Sequence, residues 1–385
     1  MMKKLWFAIF LMLLLSVVQA QDISAYKVLP DSAFCDDMAY RNGNKYQRDA
    51  LLYMDALTKV HPYYITADRR AALWAQRQEV LDRCGRCADD SSFVQIMYEV
   101  LGHLHDKHTD LIDTARFFAF KARRDEKLSA EDCFGGQEVM DRRSELFHYD
   151  LFPEEGIAYL QFNQCADGRT MRNKSLPKFN RTLNEMFRLI DSLGIGTLVV
   201  DLQYNNGGNS VLCNELLDHL RHPDSLLDYT THLRFSEIMA MYNPGISEVK
   251  KNWEADGHVD ELFHITGGKK HVSLVKEYFR GQVLLVQSPR TYSSAGILVT
   301  MVRDNHLGLI LGTPSSYPPS HYGEVIPFRL PNTSVICSMS CKFFTRPDTA
   351  HVDDQAILPD VELDLEDKQA AWAYIVEHYG RSAGR

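Results

Sequence analysis

Residues Gln282–Gly296 read QVLLVQSPRTYSSAG, and the reading of this stretch decides the fold class. Gln282 to Gln287 is a short apolar run of the kind a central strand gives, and Ser288-Pro289-Arg290 breaks it. From Ser294 onward Ile297, Leu298, Met301 and Val302 recur at helical spacing, which predicts a helix opening at Ser293 and Ser294. The first backbone N–H groups of a helix lack intrahelical partners and the dipole there is positive, so a developing oxyanion would be stabilised at this turn. Read alone, the same turn also supplies an ordinary N-cap serine.

The grammar on either side is that of alternating strand and helix. Ile157–Phe162 reads as a strand, Phe179–Leu193 as a helix with Leu183, Met186, Phe187 and Ile190 inward, and Thr197–Leu202 as a strand. A helix follows over Val211–Leu220. Beyond the opening stretch, Gly308–Gly312 reads as a strand, and Ile326–Leu330 with Val335–Ser338 as a hairpin pair. Such alternation predicts an α/β core over residues 156–385, with ligands at the carboxyl ends of the strands. Residues 45–110 differ: Ala50, Leu51, Met54, Leu57 and Thr58 form one helical face ending at His61-Pro62. Thr66 caps a second helical stretch that reaches Cys84, and a third runs from Ser92 to Leu104. This predicts a helical N-terminal subdomain over residues 21–111, and the charged segment 112–155 reads as a linker or lid. No internal repeat or low-complexity tract is present.

Residues 1–20, MMKKLWFAIFLMLLLSVVQA, carry Lys3 and Lys4, an apolar stretch from Leu5 to Val18 and a small-x-small pattern at Val18-Gln19-Ala20. This is the pattern of a secretory signal peptide, with the mature chain expected to begin at Gln21 in a periplasmic or extracellular setting. No cysteine lies near the cleavage point, and no later segment is long and apolar enough to span a bilayer, so no stable membrane anchor is expected. Without Lys3 and Lys4 the chain has 40 basic against 51 acidic side chains, a formal charge of −11. That argues against a nucleic-acid partner. The eight cysteines, Cys35, Cys84, Cys87, Cys133, Cys165, Cys213, Cys337 and Cys341, admit 105 full pairings, so their connectivity is open. Cys84-Gly85-Arg86-Cys87 follows a helix rather than the first strand of a thioredoxin-like unit, which points to a structural turn disulfide, or to pairing elsewhere, rather than redox catalysis.

Four segments carry chemistry. His103-Leu104-His105-Asp106-Lys107-His108-Thr109-Asp110 places three histidines within six residues. It comes close to the HxHxDH of metallo-hydrolases, but Asp106 and Lys107 stand in the reverse order and a helix precedes them, so no metal or other cofactor is expected. For His108, just past the helix, a general-base role requires a nucleophile close in space. The second segment is Val199–Ser210, in which a strand runs into Asn205-Asn206-Gly207-Gly208, and backbone N–H groups at such a turn can donate to an oxyanion. No GK[ST] follows, which excludes a P-loop. The third is Thr291–Gly296. In the fourth, Asp353–Glu362, an acid ahead of an apolar turn could orient a histidine.

In this order the segments resemble the C-terminal processing peptidase (tail-specific protease) family of serine peptidases, which includes the core of tricorn protease and retinoid-binding repeats. The matching pieces are HPYY at 61–64, HDKHTDL at 105–111, TLVVDLQYNNGGNS at 197–210, RTYSSAG followed by RDN and LILGT at 290–313, YGEVIPFRLPN at 322–332 and ILPDVEL at 357–363. Together they span roughly residues 45–375. The resemblance implies a ClpP/crotonase-like β-α core with a mixed sheet. It implies Ser293 as nucleophile, His108 as general base, and an oxyanion hole from the backbone of Ser294 with Gly207 or Gly208. Peptides or unfolded proteins are the implied substrates, hydrolysed through an acyl-enzyme.

Two departures refine this. The processing branch uses a lysine in an FGKG motif downstream of the serine, and here Ser315-Ser316-Tyr317-Pro318-Pro319 holds none, so the histidine-based tricorn-like arrangement fits better. In tricorn a serine precedes the base histidine, whereas Lys107 precedes His108; the acid aligned with tricorn's glutamate is Asp353, with Glu324 as second choice. Too few residues separate the helical region from Gly156 for a PDZ-like segment. Two alternatives remain open: a non-catalytic peptide- or lipid-binding protein on the same fold, and a metal-dependent hydrolase using His103, His105 and His108. Substrate preference and oligomeric state are not set by the sequence.

Overall fold

Two sheets organise the chain, one in each of two compact units. The computed structural model describes residues 26–31, 34, 36–113, 115, 145–220, 226–266 and 278–381. The expected signal peptide, Cys35, Cys133 and most of the expected linker or lid lie outside the described residues. One unit comprises the described residues of Lys127–Thr230, Thr266–Ser320 and Thr345–Arg385; the other comprises those of Met1–Glu126, Thr231–Ile265 and His321–Phe344.

The α/β unit is built on β2 (Phe147–Phe152), β3 (Ile157–Phe162), β4 (Thr197–Asp201), β7 (Gln282–Gln287), β8 (Leu309–Gly312) and β11 (Val361–Glu362), in the order β11-β8-β7-β4-β3-β2. β3, β4, β7, β8 and β11 run parallel, and β2 closes the edge antiparallel, making the sheet mixed. Every residue of β3 and β4 is buried, which is why these strands read as unbroken apolar runs instead of alternating ones. Helices α6 (Phe179–Leu193), α7 (Ser210–Leu220), α10 (Ser294–Asp304) and α11 (Lys368–Tyr379) accompany the sheet. Phe162 stacks on Phe179 with ring centroids 4.5 Å apart, and truncating either buried ring would cost about 3–5 kcal/mol. Trp372 and Ile375 of α11 pack with Tyr159, Val199, Leu284 and Leu311 in one apolar cluster.

The helical unit begins with α1 (Met38–Asn42) and α2 (Lys45–Val60), the latter opened by a capping box between Asn44 and Gln47. The stretch capped by Thr66 divides at Gln76 into α3 (Ala67–Ala75) and α4 (Arg77–Cys84). The third stretch, α5 (Asp90–Leu101), starts two residues ahead of Ser92, is capped by Asp89 and ends three residues short of Leu104. The unit is not confined to residues 21–111. Strand β1 (Asp110–Ile112) pairs antiparallel with β10 (Ile336–Thr345), placing Asp110 opposite Ser338, and β9 (His321–Arg329) pairs with β10. Strands β5 (Thr230–Leu233) and β6 (Phe263–Thr266), with the helices α8 (Glu237–Ala240) and α9 (Gly245–Ala255) between them, complete this sheet and its cover. A strand needs a partner for its ladder, and β1 finds its own far downstream, where local periodicity carries no signal of the pairing.

Candidate active site

The two turns singled out in the α/β unit emerge side by side because the strands that carry them are neighbours. β4 and β7 pair in parallel with Asp201 opposite Val286, and the Leu202 N–H extends the ladder to the Val286 carbonyl at 2.9 Å. Both segments then leave the carboxyl edge of the sheet, where ligands bind in open α/β folds. Ser288 Oγ donates to the Gln203 carbonyl at 2.6 Å, Thr291 Oγ1 to that of Leu202 at 2.8 Å, and the Tyr292 N–H to that of Asn205 at 3.0 Å. Asn205 is the keystone of this edge. Its Nδ2 donates to the Phe162 carbonyl at 2.9 Å, while its Oδ1 accepts the Gly207 N–H at 2.8 Å.

Ser293 sits at the start of α10 with φ 54° and ψ −125°, and its side chain makes no capping hydrogen bond. The N-cap reading therefore does not describe this serine. A non-glycine residue with such dihedrals costs about 1–3 kcal/mol and persists only where its surroundings impose it. The surroundings here include Gly207, whose φ is 95° and whose added Cβ would lie 2.7 Å from the Ser293 Cβ and 2.9 Å from the Ser294 nitrogen. A glycine is required for the two segments to approach this closely. Because the Gly207 amide is committed to Asn205, it is not available to a ligand. Among the described residues the amides of Gly208 and Ser294 donate no hydrogen bond, and the Ser294 hydroxyl donates to the Gly208 carbonyl at 2.8 Å. Tyr317, in the stretch that lacks a lysine, donates its hydroxyl to the Ser293 carbonyl at 3.3 Å and occupies the space over Gly296 where any side chain would clash. Burial holds this phenol well above its usual pKa, so it is a neutral donor.

His108 belongs to the helical unit, in the loop between α5 and β1. Its carbonyl accepts from Ser338 Oγ at 2.8 Å, and the next residue, Thr109, accepts from the Ser340 N–H at 3.0 Å. The carboxylate beside it is Asp106, whose side chain is 1% exposed. Asp106 Oδ1 accepts the His108 backbone N–H at 2.9 Å and stands 3.6 Å from His108 Nδ1. The latter distance is a charge contact rather than a hydrogen bond. Its Oδ2 takes the Thr109 hydroxyl at 2.6 Å and faces His61 Nε2 at 3.2 Å. The Tyr63 N–H donates to His61 Nδ1 at 3.1 Å, which puts the proton of the neutral ring on Nε2 and makes His61 a donor to Asp106. Burial lowers the His61 pKa, in keeping with that neutral form. Burial alone would raise the Asp106 carboxyl, but the imidazoles of His108 and His61 outweigh it and hold it well below the usual carboxylate range. On the other side, the His108 ring stacks on His321 with centroids 6.0 Å apart.

The structure thus gathers Ser293, Ser294, Gly207 and Gly208 at one edge of the α/β unit, and His108 with Asp106 and His61 in the helical unit. Asp353 is an exposed carboxylate on a loop of the α/β unit. Glu324, in the helical unit with φ 50°, is paired through Oε2 with the buried Lys342 at 2.5 Å. His103 faces the Tyr64 hydroxyl at 3.1 Å and His105 is exposed, so the three histidines do not share a ligand point; among the described residues no cluster of three or more His, Cys, Asp or Glu side chains could hold a metal. The sequence assigns no role in such a site to His61 or Asn205, and sets Asp106 only against a metal-ligand pattern that it does not fit. For Asp106 a signal existed, since an Asp two residues ahead of His108 has the spacing of an Asx turn.

Comparison with known proteins bears on the whole arrangement. A family model described as Peptidase family S41 matches residues 156–363, more than half of the chain. No curated protein matches. Among solved structures, mature CPAF superposes with a TM-score of 0.60 at 11% identity, covering 87% of this chain and 95% of that one. Mature CPAF complexed with lactacystin gives 0.59 at 11% identity, covering 87% and 97%. A protein of Parabacteroides merdae ATCC 43184 described as a peptidase gives 0.54 at 14% identity, covering 88% and 99%. At these identities the superpositions speak for the fold, and the family match speaks for the chemistry.

Proposed function

Since the chain belongs to peptidase family S41 and is a serine-type peptidase, we propose that Ser293 is its nucleophile and His108 the general base, with Asp106, rather than Asp353, as the carboxylate behind the imidazole. The observation that carries this reading is Ser293 itself, strained at φ 54°, with its hydroxyl unused for capping and packed against Gly207. Such a turn is the strand-to-helix elbow that presents a nucleophilic hydroxyl.

In the proposed reaction His108 removes the Ser293 Oγ proton as the oxygen attacks a peptide carbonyl. The negative charge of Asp106 near Nδ1 favours the tautomer with its proton there and stabilises the imidazolium that forms. The oxyanion is received by the Gly208 and Ser294 amides, both without partners among the described residues, while Gly207 serves the close approach. The imidazolium then protonates the departing amine, and water attacks the acyl-enzyme by the same route in reverse. Substrates are peptides or unfolded proteins, and residues 1–20 direct export to the periplasm or beyond, with Gln21 as the mature N-terminus.

The test is labelling of the purified protein with a fluorophosphonate. Wild type is expected to label at Ser293; Ser293→Ala is expected to show none, and His108→Ala a rate reduced by about a thousandfold or more. A folded wild type that does not label, or a Ser293→Ala variant that still cleaves peptides, would overturn the assignment. Mass analysis of the exported protein checks the Gln21 terminus.

A further inference from the structure

Behind the Gly207-Gly208 loop lie two cysteines that the proposed chemistry does not use. Cys165 follows β3, which is the parallel neighbour of β4, and its backbone is laced to the glycine loop: its N–H donates to the Gly207 carbonyl at 3.1 Å, its carbonyl accepts from the Asn209 N–H at 2.7 Å, and it bridges Gly208. A Cβ on Gly208 would lie 2.5 Å from the Cys165 carbonyl oxygen, so this contact too requires glycine. Cys213, in the first turn of α7, donates its thiol to the Ser294 carbonyl at 3.2 Å. The two sulfurs are 3.4 Å apart, and each residue is 1% exposed. Cys165 is therefore tied through its backbone to the segment holding the Gly208 amide, and Cys213, while its thiol keeps its proton, to the residue holding the Ser294 amide.

We propose that Cys165 and Cys213 are a dithiol–disulfide site whose oxidation gives up the thiol hydrogen bond to Ser294 but ties the segment holding the Gly208 amide covalently to the first turn of α7, making the oxidised protein the more reactive form. Oxidation needs a disulfide donor, either a glutathione-type disulfide or a dithiol–disulfide oxidoreductase. One cysteine thiolate attacks the donor disulfide to give a mixed disulfide and release a thiol. The second cysteine thiolate then attacks the mixed disulfide, closing the Sγ–Sγ bond and releasing the second thiol. Two electrons and two protons pass from the cysteines to the donor. The hydrogen bond with Cys165, together with burial, raises the Cys213 thiol, so exchange is slow in the folded protein and the bond is expected to form during folding in an oxidising compartment. The link to reactivity rests on the oxyanion assignment above; the bond itself does not.

The experiment compares full-length protein refolded through a glutathione redox buffer with protein kept in dithiothreitol. Peptide mapping after alkylation under denaturing conditions is expected to find Cys165 linked to Cys213 only in the first. Amide hydrogen exchange in the peptide spanning 203–210 is expected to slow on oxidation, and fluorophosphonate labelling of Ser293 to rise several-fold. Cys165→Ser and Cys213→Ser should each erase both differences. Alkylation of both cysteines in the oxidised sample would overturn the proposal, as would a linked pair with unchanged exchange at 203–210, or labelling equal to or slower than that of the reduced form. A linked pair with slowed exchange and no labelling in either state would uphold the cysteine site and count against Ser293 as nucleophile.

Discussion

The turn that carries Ser293 and the loop that carries His108 are fixed by different kinds of force. Around Ser293 the restraints are steric and run largely through the main chain: paired parallel strands, carbonyls accepting from Thr291, Ser288 and Tyr292, and a glycine where a Cβ cannot fit. Around His108 the restraint is a buried carboxylate shared among two imidazoles, a threonine hydroxyl and a backbone amide. The first arrangement depends on shape and is indifferent to pH; the second depends on charge and is not. The proposed roles divide in the same way, with position asked of Ser293 and a neighbouring charge of His108.

Three substitutions, with Asp353→Asn as a control, break or sharpen that contrast. The largest effect is expected from Asp106→Asn, which keeps the side-chain shape but removes the charge. Its kcat should fall by about a thousandfold or more, with a changed pH profile, whereas Asp353→Asn should stay within about twofold. Equal losses from the two would show that the acid has been misassigned. The same carboxylate ties the loop to acid stability, because a depressed folded pKa stabilises the native state only while the group is ionised. The contribution of Asp106 is present above the unfolded carboxylate value of about 3.9 and is lost as pH falls through the lower folded value; that of buried, neutral His61 is present above about 6.5 and is lost as pH falls through its own lowered value. Acid titration of wild type against Asp106→Asn, followed by circular dichroism, checks that sign.

Gly207→Ala comes next. The charge network is untouched, but the methyl group meets Ser293 and a φ of 95° resists it, so activity should drop by about a hundredfold as the donors shift, with the pH profile unchanged. An active Gly207→Ala enzyme would mean that the close approach is not needed. The smallest effect is assigned to Tyr317→Phe. Losing one hydroxyl bond to the Ser293 carbonyl is worth about 0.5–1.5 kcal/mol, hence roughly tenfold at most in kcat/KM.

What the sequence disclosed follows the range of the forces involved. The bounds of Ile157–Phe162, Phe179–Leu193 and Gln282–Gln287, and the start of the helix at Ser294, are legible to the residue, because their burial is written in adjacent side chains as runs or 3.6-residue repeats. Strands β5 and β6, and the lengths of β9 and β10, are not, since short edge strands exist by virtue of partners elsewhere in the chain. The same division runs through the site. Ser293 and His108 could be singled out because their motifs are local and follow in a recognisable order. Asn205 and His61 could not, for their importance lies in contacts with Phe162 and Asp106 that no spacing encodes. Asp106 lies within HDKHTDL, where its order with Lys107 fits no metal-ligand pattern; its proximity to His61 depends on where the α2 end and the loop after α5 meet.

The dihedrals of Ser293 set two requirements of the chain against each other. Glycine is the residue for which φ 54° carries no penalty, so the position is occupied by a side chain that its own backbone disfavours. A more comfortable residue there would lower the free energy of the folded turn and remove the oxygen on which the proposed reaction depends. The protein would in that sense be more stable without its proposed nucleophile, and a screen for thermostability alone would select against the residue on which that proposal rests.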